Sequence, residues 1–106
     1  MKDFKMSNKI IVIVGPTAVG KTKFSVELAK KLNSEIVSAD SMQIYKGMNI
    51  GTAKITKDEM QGITHHMIDI VNPNDDYSVS DFKLDSENVI DKLLRQNKIP
   101  VIVGGS

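Results

Sequence analysis

Residues Gly15 to Thr22 read GPTAVGKT: a glycine, four residues, a second glycine, a lysine and a threonine. The segment follows the apolar run Ile10, Ile11, Val12, Ile13, Val14 and precedes a helical pattern that opens near Lys21. A phosphate loop needs that context, because a buried strand then delivers a turn of bare backbone N–H groups to the positive end of a helix. Gly15 and Gly20 let phosphate approach the backbone closely. Lys21 supplies a point charge, and the Thr22 hydroxyl can ligate a magnesium ion that bridges phosphate oxygens. Gly15, Pro16, Thr17, Ala18, Val19, Gly20, Lys21 and Thr22 are therefore assigned to polyphosphate binding, with the identity of the polyphosphate left open.

Working outward, Phe24, Leu28 and Leu32 recur at i, i+4 and i+8, with Val26 and Ala29 broadening the face. That period predicts an amphipathic helix from Lys21 to about Leu32, packed on a sheet and ended by Asn33-Ser34. Glu35 to Ala39 reads as a short second strand whose C-terminal end delivers Asp40. Strand, helix and strand make a βαβ unit of an α/β protein with a parallel sheet. Ligands gather beyond the carboxyl ends of such strands, so Asp40 is expected on the rim that holds the phosphate loop. A carboxylate there can hold magnesium through water or take a proton from a nucleophile. Ser41 and Gln43, flanking Met42, offer donors and acceptors suited either to a base edge or to capping their own turn.

The rest of the chain alternates loop and element. One helical turn is expected near Ser41 to Tyr45, then loop, in which Lys54 is either a surface charge or a phosphate contact. Thr56 and Glu59 have capping-box spacing for a short helix stopped by Gly62. Ile63 to Val71 reads as a short strand or extended segment, and residues 72–76 (NPNDD) as a turn. Ser78 and Asp81 open a long helix whose buried face is Phe82, Ser86, Val89, Ile90, Leu93 and Leu94. The last strand, Ile99 to Val103, runs into Gly104-Gly105-Ser106. It ends without the acidic pair expected of a hydrolysing nucleotide-binding enzyme. A further rim loop and helix are expected after it, so the chain reads as a fragment: a flexible leader at 1–8 and part of a catalytic core at 9–106.

Composition narrows the partners. Lys and Arg number 14 against 13 Asp and Glu, so no strong field attracts nucleic acid. Cysteine is absent, which excludes disulfides and thiolate metal sites. Adjacent His65 and His66 point to opposite faces of an extended segment and lack a third ligand, which disfavours a metal site. The polar N-terminus and short apolar run resemble neither a signal sequence nor a membrane span, and a cytoplasmic protein is expected.

Taken in order, GPTAVGKT, SADSMQIYKGMNIGTAK, HHMIDIVNP, YSVSDF and KIPVIVGGS resemble the N-terminal part of the tRNA dimethylallyltransferase (tRNA isopentenyltransferase) family. The resemblance implies a P-loop nucleoside-triphosphate-hydrolase-like, three-layer α/β fold with a parallel sheet, incomplete at the C-terminus. It implies transfer of a dimethylallyl group from dimethylallyl diphosphate to the exocyclic amine of the adenosine 3′ of the anticodon, with magnesium as cofactor. Thr17, Gly20, Lys21 and Thr22 would stabilise the leaving diphosphate, and Asp40 would act as general base. Ser41, Met42 and Gln43 would contact the target nucleotide together with Ser106, which falls where bacterial members carry threonine. The tRNA anticodon stem-loop would be gripped mainly by parts that follow this segment, and the complete enzyme would be a monomer. Two alternatives within enzymes are adenylate prenyl transfer, whose family is similar in its phosphate loop, aspartate and Gly-Gly-Ser, and small-molecule phosphorylation. A diphosphate-binding module without turnover is the alternative outside enzymes.

Overall fold

The computed structural model describes residues 9–14, 19–47 and 54–104. The leader at 1–8, Gly15, Pro16, Thr17, Ala18 and Ser106 lie outside the described residues, as does the side chain of Val19. Four strands form one sheet: β1 (Ile11–Ile13), β2 (Ile36–Ser38), β3 (His65–His66) and β4 (Val101–Val103), in the order β1-β4-β2-β3. Every pairing is parallel. In register, Ile36 faces Val101 and His65, whereas Val37 faces Ile102 and His66. Because successive side chains alternate, these two rows lie on opposite faces of the sheet.

Each face is covered by one long helix, which gives three layers. Helix α1 (Val19–Leu32) buries Val26 and Ala29 against Ile36 and Val101. Helix α3 (Val79–Arg95) sets Leu93, Val89, Ile90 and Phe82 against Val37, Ile102 and Ile44. Its N-terminus carries a complete capping box: Asp81 N–H donates to Ser78 Oγ at 3.1 Å, and Ser78 N–H to Asp81 Oδ2 at 2.9 Å. The short helix α2 (Lys57–Met60) has the same device in Thr56 and Glu59 and ends through left-handed Gln61 and Gly62.

Two expectations fail. The strand expected to be buried, β1, is a sheet edge that pairs only with β4 among the described residues. Ile10, Val12 and Val14 are 47%, 56% and 69% exposed, because α3 lies over β2 and β4 and leaves this outer row uncovered. Phe24, expected on the buried face of α1, is exposed, and Ser25 takes the buried place beside Val26. A small side chain fits the close approach of helix and sheet there, and its hydroxyl donates to Thr22 O at 2.8 Å, so nothing polar is stranded. The helix also starts two residues earlier than expected, at Val19.

Opposite the rim, the Glu35 carboxylate accepts from His66 Nε2 at 2.6 Å and Lys98 Nζ at 2.9 Å. These bonds tie the start of β2 to β3 and to the turn before β4. Burial by itself would raise the Glu35 carboxyl, but the two hydrogen bonds and their charges bring it below its ordinary value.

Candidate functional site

At the C-terminal ends of β2 and β4 a cleft opens between α1 and the sheet. Lys21, Thr22 and Ser25 line it from α1, Ser38, Asp40 and Gln43 from the end of β2, and Val103 and Gly104 from β4. Ile36, Ile55, Ile68 and His65 complete the wall. The local sequence explains the convergence. Ala39 N–H donates to Val103 O at 2.8 Å, which prolongs the β2–β4 pairing by one step and aims the following residue off the sheet. Asp40 then caps a 3-10 turn at Ser41–Ile44, with Oδ1 accepting Met42 N–H at 3.0 Å and its carbonyl accepting Gln43 N–H at 3.0 Å. The other carboxylate oxygen makes no hydrogen bond to a described residue. Across the cleft Lys21 Nζ donates to Gly104 O at 2.5 Å, which holds the ammonium at the mouth.

The expected site residues divide. Gly20 is exposed at the start of α1. Lys21, Thr22, Asp40 and Gln43 share the cleft, whereas Ser41 and Met42 turn the other way, toward a groove lined by Tyr45, Tyr77 and Phe82. Lys54 is not a phosphate contact: its ammonium donates to Tyr45 O at 2.8 Å and to Asp69 Oδ1, pinning the 3-10 turn to the segment after β3. The sequence reading missed Ser25, Ser38 and His65. Alternation along residues 35–39 puts Ser38 on the α1 side and was the available signal for it.

His65 and His66 do point to opposite faces. His65 Nδ1–H donates to the Ile63 carbonyl at 2.9 Å, and burial pushes the ring below its ordinary value, against that bond. The neutral ring therefore carries its lone pair on Nε2, which is buried without a partner among the described residues.

Chemically the cleft combines one ammonium, one carboxylate, a hydroxyl at the head of a helix and an apolar wall. Oxygen donors from Thr22 and Asp40 suit a hard divalent cation. Among the described residues no three carboxylate, imidazole or thiol side chains converge. None of the described helices is long and apolar enough to cross a membrane.

Comparison with known proteins agrees with this architecture. The family model described as IPP transferase matches residues 43–106. A tRNA dimethylallyltransferase of Oceanobacillus iheyensis is 55% identical over 101 residues, covering 95% of this chain and 32% of the relative. The crystal structure of the full-length tRNA isopentenylpyrophosphate transferase of Bacillus halodurans superposes with a TM-score of 0.83 at 54% identity, over 92% of this chain and 32% of that one. A eukaryotic dimethylallyltransferase solved acting on tRNA gives a TM-score of 0.82 at 42% identity, over 91% and 24%. The chain thus spans about a third of the length of the bacterial relatives it matches. It shares their P-loop-like α/β fold, and with more than half of its residues matched by the family model, the chain belongs to the IPP transferase family.

Proposed function

We propose that this chain forms the diphosphate-holding and base-positioning part of an enzyme that transfers a dimethylallyl group from dimethylallyl diphosphate to tRNA. The acceptor is the exocyclic amine of the adenosine 3′ of the anticodon. One observation carries the reading: Lys21 and Thr22 line the same cleft as Asp40 and Gln43, so a phosphate holder and a proton acceptor face one space.

The residues divide the work. Lys21 and the start of α1 stabilise charge that develops on the departing diphosphate. Thr22, with phosphate oxygens and water, would hold magnesium, which supplies further neutralisation of that charge when bound. Asp40 accepts the proton that the amine sheds as its nitrogen bonds to the allylic carbon and the carbon–oxygen bond to diphosphate breaks. Ile36, Ile55, Ile68 and Val103 give the hydrocarbon an apolar surface and keep water from the reacting carbon. The reading implies work in the cytoplasm, as a monomer, beside its tRNA. Gly15, Pro16, Thr17, Ala18, Val19 and Gly20 complete the phosphate loop, Ser106 makes a further contact with the nucleotide, and Ser41 and Met42, turned to the groove beside the cleft, meet parts of the tRNA outside it.

The test uses the complete polypeptide that carries this segment. Unmodified anticodon stem-loop RNA should be prenylated and free AMP left untouched; prenylated AMP beside unchanged RNA would sink the proposal. Asp40→Ala should lower kcat about 100- to 10,000-fold while diphosphate binding is largely kept. Loss of diphosphate binding in that variant would assign Asp40 to the metal instead.

A further inference from the structure

Ser38, the last residue of β2, is 4% exposed, and the chemistry above does not use its hydroxyl. Its oxygen accepts the backbone N–H of Asp40 at 3.3 Å, and its proton goes to Gln43 Oε1, also at 3.3 Å. Partner chemistry sets the direction of both bonds. A backbone N–H only donates, so the Asp40 contact occupies a lone pair of Ser38. The hydroxyl proton, shielded from water, needs an acceptor, and the amide oxygen of Gln43 is the one it meets. That bond orients the amide. Oε1 is turned to Ser38, and Nε2 keeps two donors that no described residue takes, on a side chain lining the cleft beside Asp40.

We propose that Ser38 is a positioning residue that sets the choice of acceptor base, by locking the Gln43 amide so that it offers N–H beside the carboxylate of Asp40. The proposal rests on the transfer reading above. On either edge adenine shows an amine donor next to a ring-nitrogen acceptor, whereas guanine puts a carbonyl acceptor in place of the amine, beside N1–H on one edge and beside the N7 acceptor on the other. Asp40 and Gln43, an acceptor and a donor lining one cleft, complement the first pattern, whereas guanine sets its carbonyl against the Asp40 carboxylate on either edge and, on the N1 edge, its N–H against the Gln43 amide as well. Such a mismatch strands polar groups in a partly closed cleft, which is how a hydrogen-bonding site rejects an analogue more strongly than an apolar pocket can. With the Ser38 hydroxyl removed, the amide is free to turn over and the distinction fades.

The experiment compares the full-length enzyme with its Ser38→Ala and Gln43→Met variants on anticodon stem-loop RNA. The acceptor position holds adenosine, 1-deazaadenosine or 7-deazaadenosine. The parent should lose about 10-fold in kcat/KM on one of the two deaza substrates, the one lacking the nitrogen that Gln43 addresses. Ser38→Ala should lose about 10-fold on adenosine, chiefly through KM, with its penalty on that deaza substrate reduced to about 2-fold or less. Gln43→Met, which leaves the buried strand intact, should behave alike. Titrated affinity for dimethylallyl diphosphate should stay within about 2-fold in both variants, a result that a collapsed fold would not give. If Ser38→Ala keeps the parent's full deaza penalty, or the parent is indifferent to both deaza substitutions, this proposal fails and the transfer reading stands. A parent inert on every acceptor overturns both.

Discussion

Lys54 shows how far a side chain's surroundings decide its role. Its side chain is 7% exposed, whereas its carboxylate partner Asp69 is 51% exposed. An ion pair with one end in water gains little, so Asp69→Asn should cost at most about 1 kcal/mol. Lys54→Met also strands the Tyr45 carbonyl, and should cost about 1–3 kcal/mol in urea unfolding. Equal losses in the two variants would mean that the pair, not the carbonyl contact, matters. The Glu35 cluster predicts a pH dependence. Folding holds its carboxyl below the unfolded value of 4.5, so the stability this contributes is complete above that pH and disappears as pH falls through the folded value. His65 acts in the same direction from a higher starting point: its folded value lies below 6.5, so its contribution also falls away on acidification. Glu35→Gln should therefore flatten the part of a urea-midpoint profile that lies below its unfolded value of 4.5 and leave in place the part that begins at higher pH with His65. An acid limb as steep as the parent's would show that the bonds from His66 and Lys98 do not lower Glu35 in solution.

Helix ends were legible in the sequence because capping is local. Thr56 with Glu59 and Ser78 with Asp81 lie three residues apart, and the structure contains both reciprocal boxes. Their energetic weight differs, since α2 buries no residue while α3 packs Leu93 into the core. Ser78→Ala should lower global stability by about 1 kcal/mol, whereas Thr56→Ala should only speed hydrogen exchange within α2. A global loss from Thr56→Ala would tie α2 into the cooperative core. Features that depend on non-local packing were not legible. Phe24 satisfied the helical spacing, yet the side of α1 that faces the sheet is decided by how closely the sheet approaches, and Ser25 fills it. Asp40 and the phosphate-loop helix, by contrast, are brought to one rim by a general rule of parallel sheets, and alternation along β2 sends Ser38 to the same cleft, although its bonds to Asp40 N–H and to Gln43 depend on the turn that follows.

For the molecule as a whole, the order β1-β4-β2-β3 leaves the phosphate-loop strand at an edge of the described sheet, with its outward row uncovered. The order of parallel strands follows from which crossovers pack together, and a run of five apolar residues reads alike for an edge or a centre. The consequence is a surface property. Ile10, Val12 and Val14 form a contiguous apolar row beside a strand edge that pairs with no other described strand, the combination that templates association between chains. A net charge of +1 offers little repulsion against it at neutral pH. The isolated 106-residue chain should therefore self-associate in sedimentation velocity as its concentration rises. Val12→Lys places a charge in the middle of the row, on the face away from α1, and should shift the distribution toward monomer. Phe24→Lys serves as the control, because it removes an equally exposed apolar group from the opposite side of the sheet without touching the edge. If both substitutions suppress association equally, general hydrophobicity drives it. If Val12→Lys alone does, the edge of β1 is where the chains meet.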